Sequence, residues 1–241
     1  MRRLLAILGS AALLSGCSGG TPAGEAGASL TPVARQVTGE TSGTPTPEAV
    51  PTPLFRQEFL GELPSGVTTT ADQRERPGQA LAFSGEGSKV SVPLDINAAK
   101  FPLLTVTAWV RFRGDVASTP QMQAFSQDNG DFDRGFGVDH RAGRWGWSAF
   151  GGTAGVFGGA PVKAEEWTFL VLIYDQLNQQ ASLLVNDETF EVAKADLGAG
   201  ESFFWLGGNP GFDEFFVGDI AHLQIFDRLL TPEQLVAVKD R

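Results

Sequence analysis

The chain of 241 residues contains a single cysteine, Cys17, so no disulfide can form within it and its stability must come from a packed core. Histidine occurs only as His140 and His222, and tyrosine only as Tyr174. Positive charge is scarce: 18 Lys and Arg stand against 28 Asp and Glu, a formal net charge of −10. No basic cluster exists that could follow a phosphate backbone, which excludes nucleic acid as a partner. No apolar run reaches the roughly 20 residues a membrane-spanning helix needs. Neither a Gly-x-Ser-x-Gly elbow nor a His-Glu-x-x-His motif occurs. Before position 55 there is no Phe, Trp or Tyr at all, although the whole chain holds 18 Phe and 5 Trp.

What is present begins with Arg2 and Arg3, followed by an apolar stretch over residues 4–14 and then Leu14-Ser15-Gly16-Cys17. A basic start, a short apolar segment and a small-residue cleavage site make an export signal. Arg2-Arg3 lacks the flanking residues of a twin-arginine signal. The run ending in Cys17 resembles the lipobox of bacterial lipoproteins. That resemblance implies cleavage after residue 16, acylation of Cys17 and attachment to a lipid bilayer through the acyl chains. Two or more chains hold a protein stably, because each buried methylene contributes ~0.8 kcal/mol. Ser18 is compatible with sorting to the outer membrane if the source is diderm. Removing residues 1–16 takes away two arginines and no acid, so the mature chain would carry a net charge of −12. Anionic headgroups would repel such a body, so bilayer contact should run through the lipid.

Residues 17–54 form the lipidated Cys and a Gly/Ala/Thr/Pro-rich tether. With no aromatic residue, this stretch buries too little apolar area to offset its ordering entropy, and disorder is expected. A flexible chain of that length spans roughly 35 Å on average.

From Phe55 the pattern turns to short β segments separated by Gly, Asn, Asp and Pro. Residues 89–94 alternate with period two. So do residues 105–113, whose even positions are all apolar and whose odd positions carry Thr, Thr, Trp, Arg and Arg. Residues 144–150 alternate with Trp145, Trp147 and Ala149 on one side; the solvated look of Arg144, Gly146 and Ser148 favours the core for the two tryptophans, with a sugar-stacking platform as the alternative. Residues 168–174 are apolar on both faces and read as a central strand. Residues 180–186 follow after a hairpin connection, and residues 203–207 and 220–226 add two more strands. Thr231-Pro232-Glu233-Gln234 starts a short C-terminal helix, with a capping hydroxyl, Pro at the first helical position and Gln three residues after the cap. The fold class is all-β: an antiparallel two-sheet jelly-roll sandwich with a short C-terminal helix, preceded by a signal peptide and a disordered linker.

Five segments resemble, in order, the concanavalin A-like lectin/glucanase superfamily, and within it the laminin-G-like domains of bacteria. They are Gly78 to Gly85 with Val90 to Pro93, then Leu104 to Val110, Glu166 to Phe169, Leu206 to Asn209, and Phe216 to Thr231. The resemblance covers residues 55–241. It implies a jelly roll whose relatives include carbohydrate-binding modules, adhesion modules and some glycoside hydrolases. One fold hosts many functions, so the site must decide among them.

Retaining glycosidases of this superfold alternate carboxylates on one strand, so that two acids project together. No strand here does so. Glu165 and Glu166 are adjacent and would face opposite ways in a strand, while Glu188 and Glu191 flank an expected turn. His140 falls near a strand end and His222 in the closing strand. The chain is therefore read as a non-enzyme. Many relatives hold calcium with acids in the closing strand. Ile220-Ala221-His222-Leu223 lacks them, which puts that site in doubt. A separate acidic run offers Asp128, Asp131 and Asp133 as candidate ligands for Ca²⁺. Sugar binding requires aromatic faces beside polar groups. If the loops 127–134, 151–159 and 208–215 gather at one rim, Asp131, Arg134, Phe157, Asn209 and Phe212 become candidate contacts, with Trp109 on the mixed face of its strand. The expected function is a membrane-anchored, surface-displayed, non-catalytic module that recognises a glycan outside the cytoplasm. A protein-binding or structural envelope module is the alternative, and a divergent glycoside hydrolase the third reading.

Overall fold

The computed structural model describes residues 49–58, 62–115 and 120–241. The signal segment 1–16, Cys17 and the tether as far as residue 48 lie outside the described residues.

The domain is a sandwich of two antiparallel sheets. One sheet has the order β12-β11-β10-β5-β14-β3-β2, with β1 added beside β14. Its strands are β1 (Phe55–Arg56), β2 (Val67–Thr70), β3 (Ala80–Ser84), β5 (Leu103–Phe112), β10 (Trp167–Asp175), β11 (Gln180–Val185), β12 (Glu188–Ala193) and β14 (Val217–Phe226). The other sheet has the order β4-β13-β6-β7-β8-β9. It is built from β4 (Val90–Val92), β13 (Phe204–Leu206), β6 (Met122–Ser126), β7 (Gly135–Asp139), β8 (Gly146–Phe150) and β9 (Val156–Ala160).

Alternation decides what lies between the sheets. In β5, Leu104, Val106, Ala108, Val110 and Phe112 are fully buried and meet Phe125, Phe136, Val138 and Trp147 of the facing sheet. Trp145 packs edge-on against Phe112, with ring centroids 5.4 Å apart. Both tryptophans of the 144–150 stretch thus serve the core. The doubly apolar β10 has its explanation in the helix α1 (Pro232–Lys239). Leu170, Leu172 and Tyr174 join the inter-sheet core, whereas Phe169, Val171 and Ile173 form a second cluster with Leu230, Leu235, Val238 and Trp109 on the sheet's outer face. α1 begins with a capping box: Thr231 Oγ1 accepts from Gln234 N, and Gln234 Oε1 accepts from Thr231 N.

The folded region starts before Phe55. Val50 packs into the outer cluster, Ala49 O accepts a hydrogen bond from Gln234 Nε2, and Leu54 N donates to Ile225 O. Residues 49–54, expected in the tether, are part of the domain because the outer face of β10 and α1 offers Val50 an apolar seat. Glu188 and Glu191 also differ from expectation. Both lie in the edge strand β12 and not around a turn. At a spacing of three on a strand they face opposite ways.

Candidate ligand-binding rim

The three loops named from the sequence do converge. Asp128 sets the shape of the first, because its Oδ1 accepts from the backbone N–H groups of Gly130 and Asp133. Asn209 ties the third loop to it: its Oδ1 accepts from Ser126 Oγ at 2.7 Å, and its Nδ2 donates to Asp128 Oδ2 at 3.2 Å and to Glu214 Oε2 at 2.8 Å. The second loop joins through Gly152 N, which donates to Phe132 O at 2.7 Å. A fourth segment, residues 194–201, closes the ring. Thr153 N donates to Asp196 O, Asn129 Nδ2 donates to Ala199 O, and Glu201 N donates to Gln127 O.

Three of these segments, through residues 130–132, 152–155 and 196–198, line a cavity of about 560 Å³, and the third loop braces it from outside. Its wall carries the carboxylates of Asp131 and Asp196, the hydroxyl of Thr153, the ring of Phe132 and a row of glycines. Gly152 is required where it stands: φ is +57°, and a Cβ there would lie 2.1 Å from Asp196 O. Phe212, 39% exposed, stands over Gly130 at the lip. Carboxylates that accept hydrogen bonds from hydroxyls, a half-buried ring and open backbone together suit a polyhydroxylated ligand that carries no negative charge.

The candidate contacts divide into two groups. Asp131 and Phe212 are exposed at the rim. Arg134, by contrast, is 1% exposed. It donates to the carbonyls of Ile96 and Phe101 and lies 5.3 Å from the centroid of the Tyr174 ring. Burial lowers its pKa to about 10. It props the loop from beneath and cannot touch a ligand in the cavity. Asn209 is buried too and acts as the strut just described. Phe157 belongs to the inter-sheet core. Trp109 lies under α1, 5.2 Å from the Phe169 ring, on a different face of the molecule.

The acidic run does not form a metal cage. Asp128 spends its oxygens on Gly130, Asp133 and Asn209. Burial raises the pKa of Asp133, a hydrogen bond from Asn129 N works against it, and the charges of Asp128 and Asp131 add to the rise. Among the described residues no three or more His, Cys, Asp or Glu side chains come together in a way that could hold a metal ion.

Sequence reasoning missed a polar bridge beside the rim. Arg141 Nη2 reaches Asp139 Oδ2 at 2.6 Å and Glu214 Oε1 at 2.9 Å, and its guanidinium lies over the rings of Phe132 and Phe150. Burial raises the Glu214 pKa, partly offset by Asn209 and Arg141. Burial would lower that of Arg141, but Asp139 and Glu214 outweigh it and raise it. Asp139 and Glu214 are far apart in sequence and share no motif, so no spacing signal could have found them. Both are engaged by one guanidinium, which offsets one of the two negative charges and ties both carboxylates into the bridge.

Residues 84–236 match the family described as the concanavalin A-like lectin/glucanases superfamily, and the chain belongs to that family. No curated protein sequence matches it. Among solved structures it is similar to the binding domain of botulinum neurotoxin serotype D, at 13% identity and a TM-score of 0.52, over 73% of this chain and 46% of that one. A second structure of the receptor binding domain of botulinum neurotoxin D gives 14% identity and a TM-score of 0.54, over 74% and 47%. Domain 4 of AbnA, an extracellular arabinanase from Geobacillus stearothermophilus solved in complex with arabinotriose, gives 20% identity and a TM-score of 0.48, over 71% and 86%. The chain spans less than half the length of the toxin binding domains it matches. At these identities the likeness to the toxin domains shows the fold.

Proposed function

We propose that this protein is a lipid-anchored, non-catalytic binding module displayed outside the cytoplasm, and that its rim binds a glycan. The observation that carries the reading is the cavity lined by residues 130–132, 152–155 and 196–198, where the carboxylates of Asp131 and Asp196 lie beside the ring of Phe132, with the exposed Phe212 over Gly130. Membership of a lectin/glucanase superfamily makes carbohydrate the first ligand class to test. The anchor rests on the Cys17 motif, and the tether would hold the rim clear of the bilayer.

The test is a polysaccharide array probed with the full chain in detergent, with and without Ca²⁺. Binding to a neutral polysaccharide that weakens about tenfold or more in Asp131→Ala and Phe212→Ala supports the reading, since one hydrogen bond or one stacked ring accounts for a loss of that order. An array without any bound glycan overturns it. Fractionation of Cys17→Ser cells should move the protein out of the membrane fraction, and retention there would overturn the anchor.

A further inference from the structure

A second cavity, of about 620 Å³, lies on the opposite flank of β14 from β5. Its origin is local. β3 pairs with β14 as far as Ala221, and β1 pairs with it only from Gln224, so the two strands leave a gap between them. The gap coincides with a bulge, where the register against β5 slips between Ala221 and Gln224. His222 takes up the extra residue at φ +53°. Bulges re-aim side chains, and they cluster beside functional sites. Gln57 satisfies the displaced backbone: its Nε2 donates to Ile220 O, and its Oε1 accepts from Leu223 N. The His222 ring is thereby held outward, with Nε2 2.9 Å from both Asp72 Oδ2 and Arg76 Nη2.

The chemistry of this cavity is the reverse of the rim. Arg56, Arg76 and Arg241 line it together with His222, and Glu58 is the one acid in the wall. Three guanidiniums in one cavity stand out in a chain of net charge −10. Arg56 makes no ion pair among the described residues. Arg76 gives its Nε to Asp72 at 2.7 Å, while its Nη2 lies 2.9 Å from His222 Nε2 and donates to Arg241 O at 3.4 Å. A second, independent feature points to a ligand. Gln224 lines the same cavity, is 3% exposed, and its Oε1 has no hydrogen-bond partner among the described residues. An unpaired buried acceptor is costly, and a donor brought by a ligand would satisfy it.

We infer that this cavity binds a hydroxyl-bearing oxyanion of the sugar-acid class, with its carboxylate on Arg56 and Arg76 and a hydroxyl on Gln224 Oε1. Guanidinium forks match carboxylates in geometry as well as charge. The site is separate from the rim and stands whether or not the rim binds a glycan.

The test uses the full chain in nonionic detergent and titrates sodium glucuronate, glucose and sodium sulfate by isothermal calorimetry and amide NMR. Glucuronate should bind, glucose should not, and sulfate should bind more weakly than glucuronate. Arg56→Gln should weaken glucuronate about tenfold or more. Because the Arg56 side chain makes no hydrogen bond or ion pair among the described residues, its replacement should leave the melting temperature within about 2 °C of wild type. Gln224→Met should weaken glucuronate while leaving sulfate as it was, and Asp131→Ala at the rim should change neither. Absence of any glucuronate response overturns the site, as does an affinity that both Arg56→Gln and Gln224→Met leave intact. Equal binding of sulfate and glucuronate overturns the assignment of the hydroxyl to Gln224.

Discussion

Replacing Arg134 separates a ligand contact from a structural strut. The guanidinium donates to Ile96 O and Phe101 O and covers the face of Tyr174, whose hydroxyl in turn donates to Phe150 O at 2.8 Å and accepts from Gly135 N. Arg134→Met keeps most of the volume but strands the Ile96 carbonyl, since Ile96 is fully buried. An orphaned buried acceptor costs ~1–3 kcal/mol. Against that, burial already holds the Arg134 pKa down at about 10, so the native charge sits there at some cost, and losing it returns part of the penalty. The net loss for Met should be about 1–2 kcal/mol. Arg134→Ala adds a cavity and should cost about 3–5 kcal/mol in total. For a domain of this size the Ala variant should melt roughly 10 °C lower. Urea denaturation of the full chain checks this, with the midpoint shifting and the slope unchanged. At a temperature where the Ala variant is folded, rim affinity should stay within about twofold of wild type. A variant that melts like wild type but has lost its ligand would refute the reasoning and restore Arg134 to the binding surface.

Two further outcomes follow from the same geometry. Burial would raise the pKa of Asp72, but hydrogen bonds from His222, Arg76 and the N–H groups of Arg76 and Arg74 outweigh it and hold the value at about 2. A carboxylate depressed in the folded state adds stability above its unfolded pKa and loses it as pH falls through its folded one. About 2 kcal/mol should therefore disappear between pH 4 and pH 2, and Asp72→Asn should flatten that part of the stability curve measured by denaturant midpoints. Gly152→Ala combines a positive φ with a Cβ 2.1 Å from Asp196 O, so it should cost several kcal/mol and loosen residues 151–155, seen as faster amide exchange at Thr153 and Ala154.

Much of the fold was legible because period-two alternation is a local signal. The strands predicted at 105–113, 168–174 and 180–186 appear as β5, β10 and β11, and the Thr231-Pro232 start of α1 carried its own caps. The extent of the domain at its N-terminal side was not legible, since Ala49 and Val50 gain their place only from a helix that is distant in sequence. At the rim, the loops could be named but the direction of their side chains could not. Asp131 and Asp133 look alike as members of an acidic run, yet one is exposed and the other 2% exposed. Which of them points inward depends on Asp128 gathering the N–H groups of Gly130 and Asp133, a contact with no signature in spacing.

The burial of these polar groups has a physical reason that returns to the scarcity of cysteine. Loops that must hold a cavity open need cross-links, and a chain with one cysteine cannot supply them covalently. Polar struts take that role: Asn209 spans Ser126, Asp128 and Glu214, and Arg141 spans Asp139 and Glu214. Each strut joins segments distant in sequence, so each restrains the rim much as a disulfide would. The difference lies in failure. A disulfide fails by reduction, whereas these struts depend on every donor and acceptor staying paired, because a half-satisfied buried network is worse than an apolar one. Asn209, which is buried, therefore controls rim geometry from beneath the surface. On the proposed glycan reading, a substitution at Asn209 that lowers affinity would act through the shape of the cavity, whereas one at Asp131 or Phe212 would remove a proposed contact.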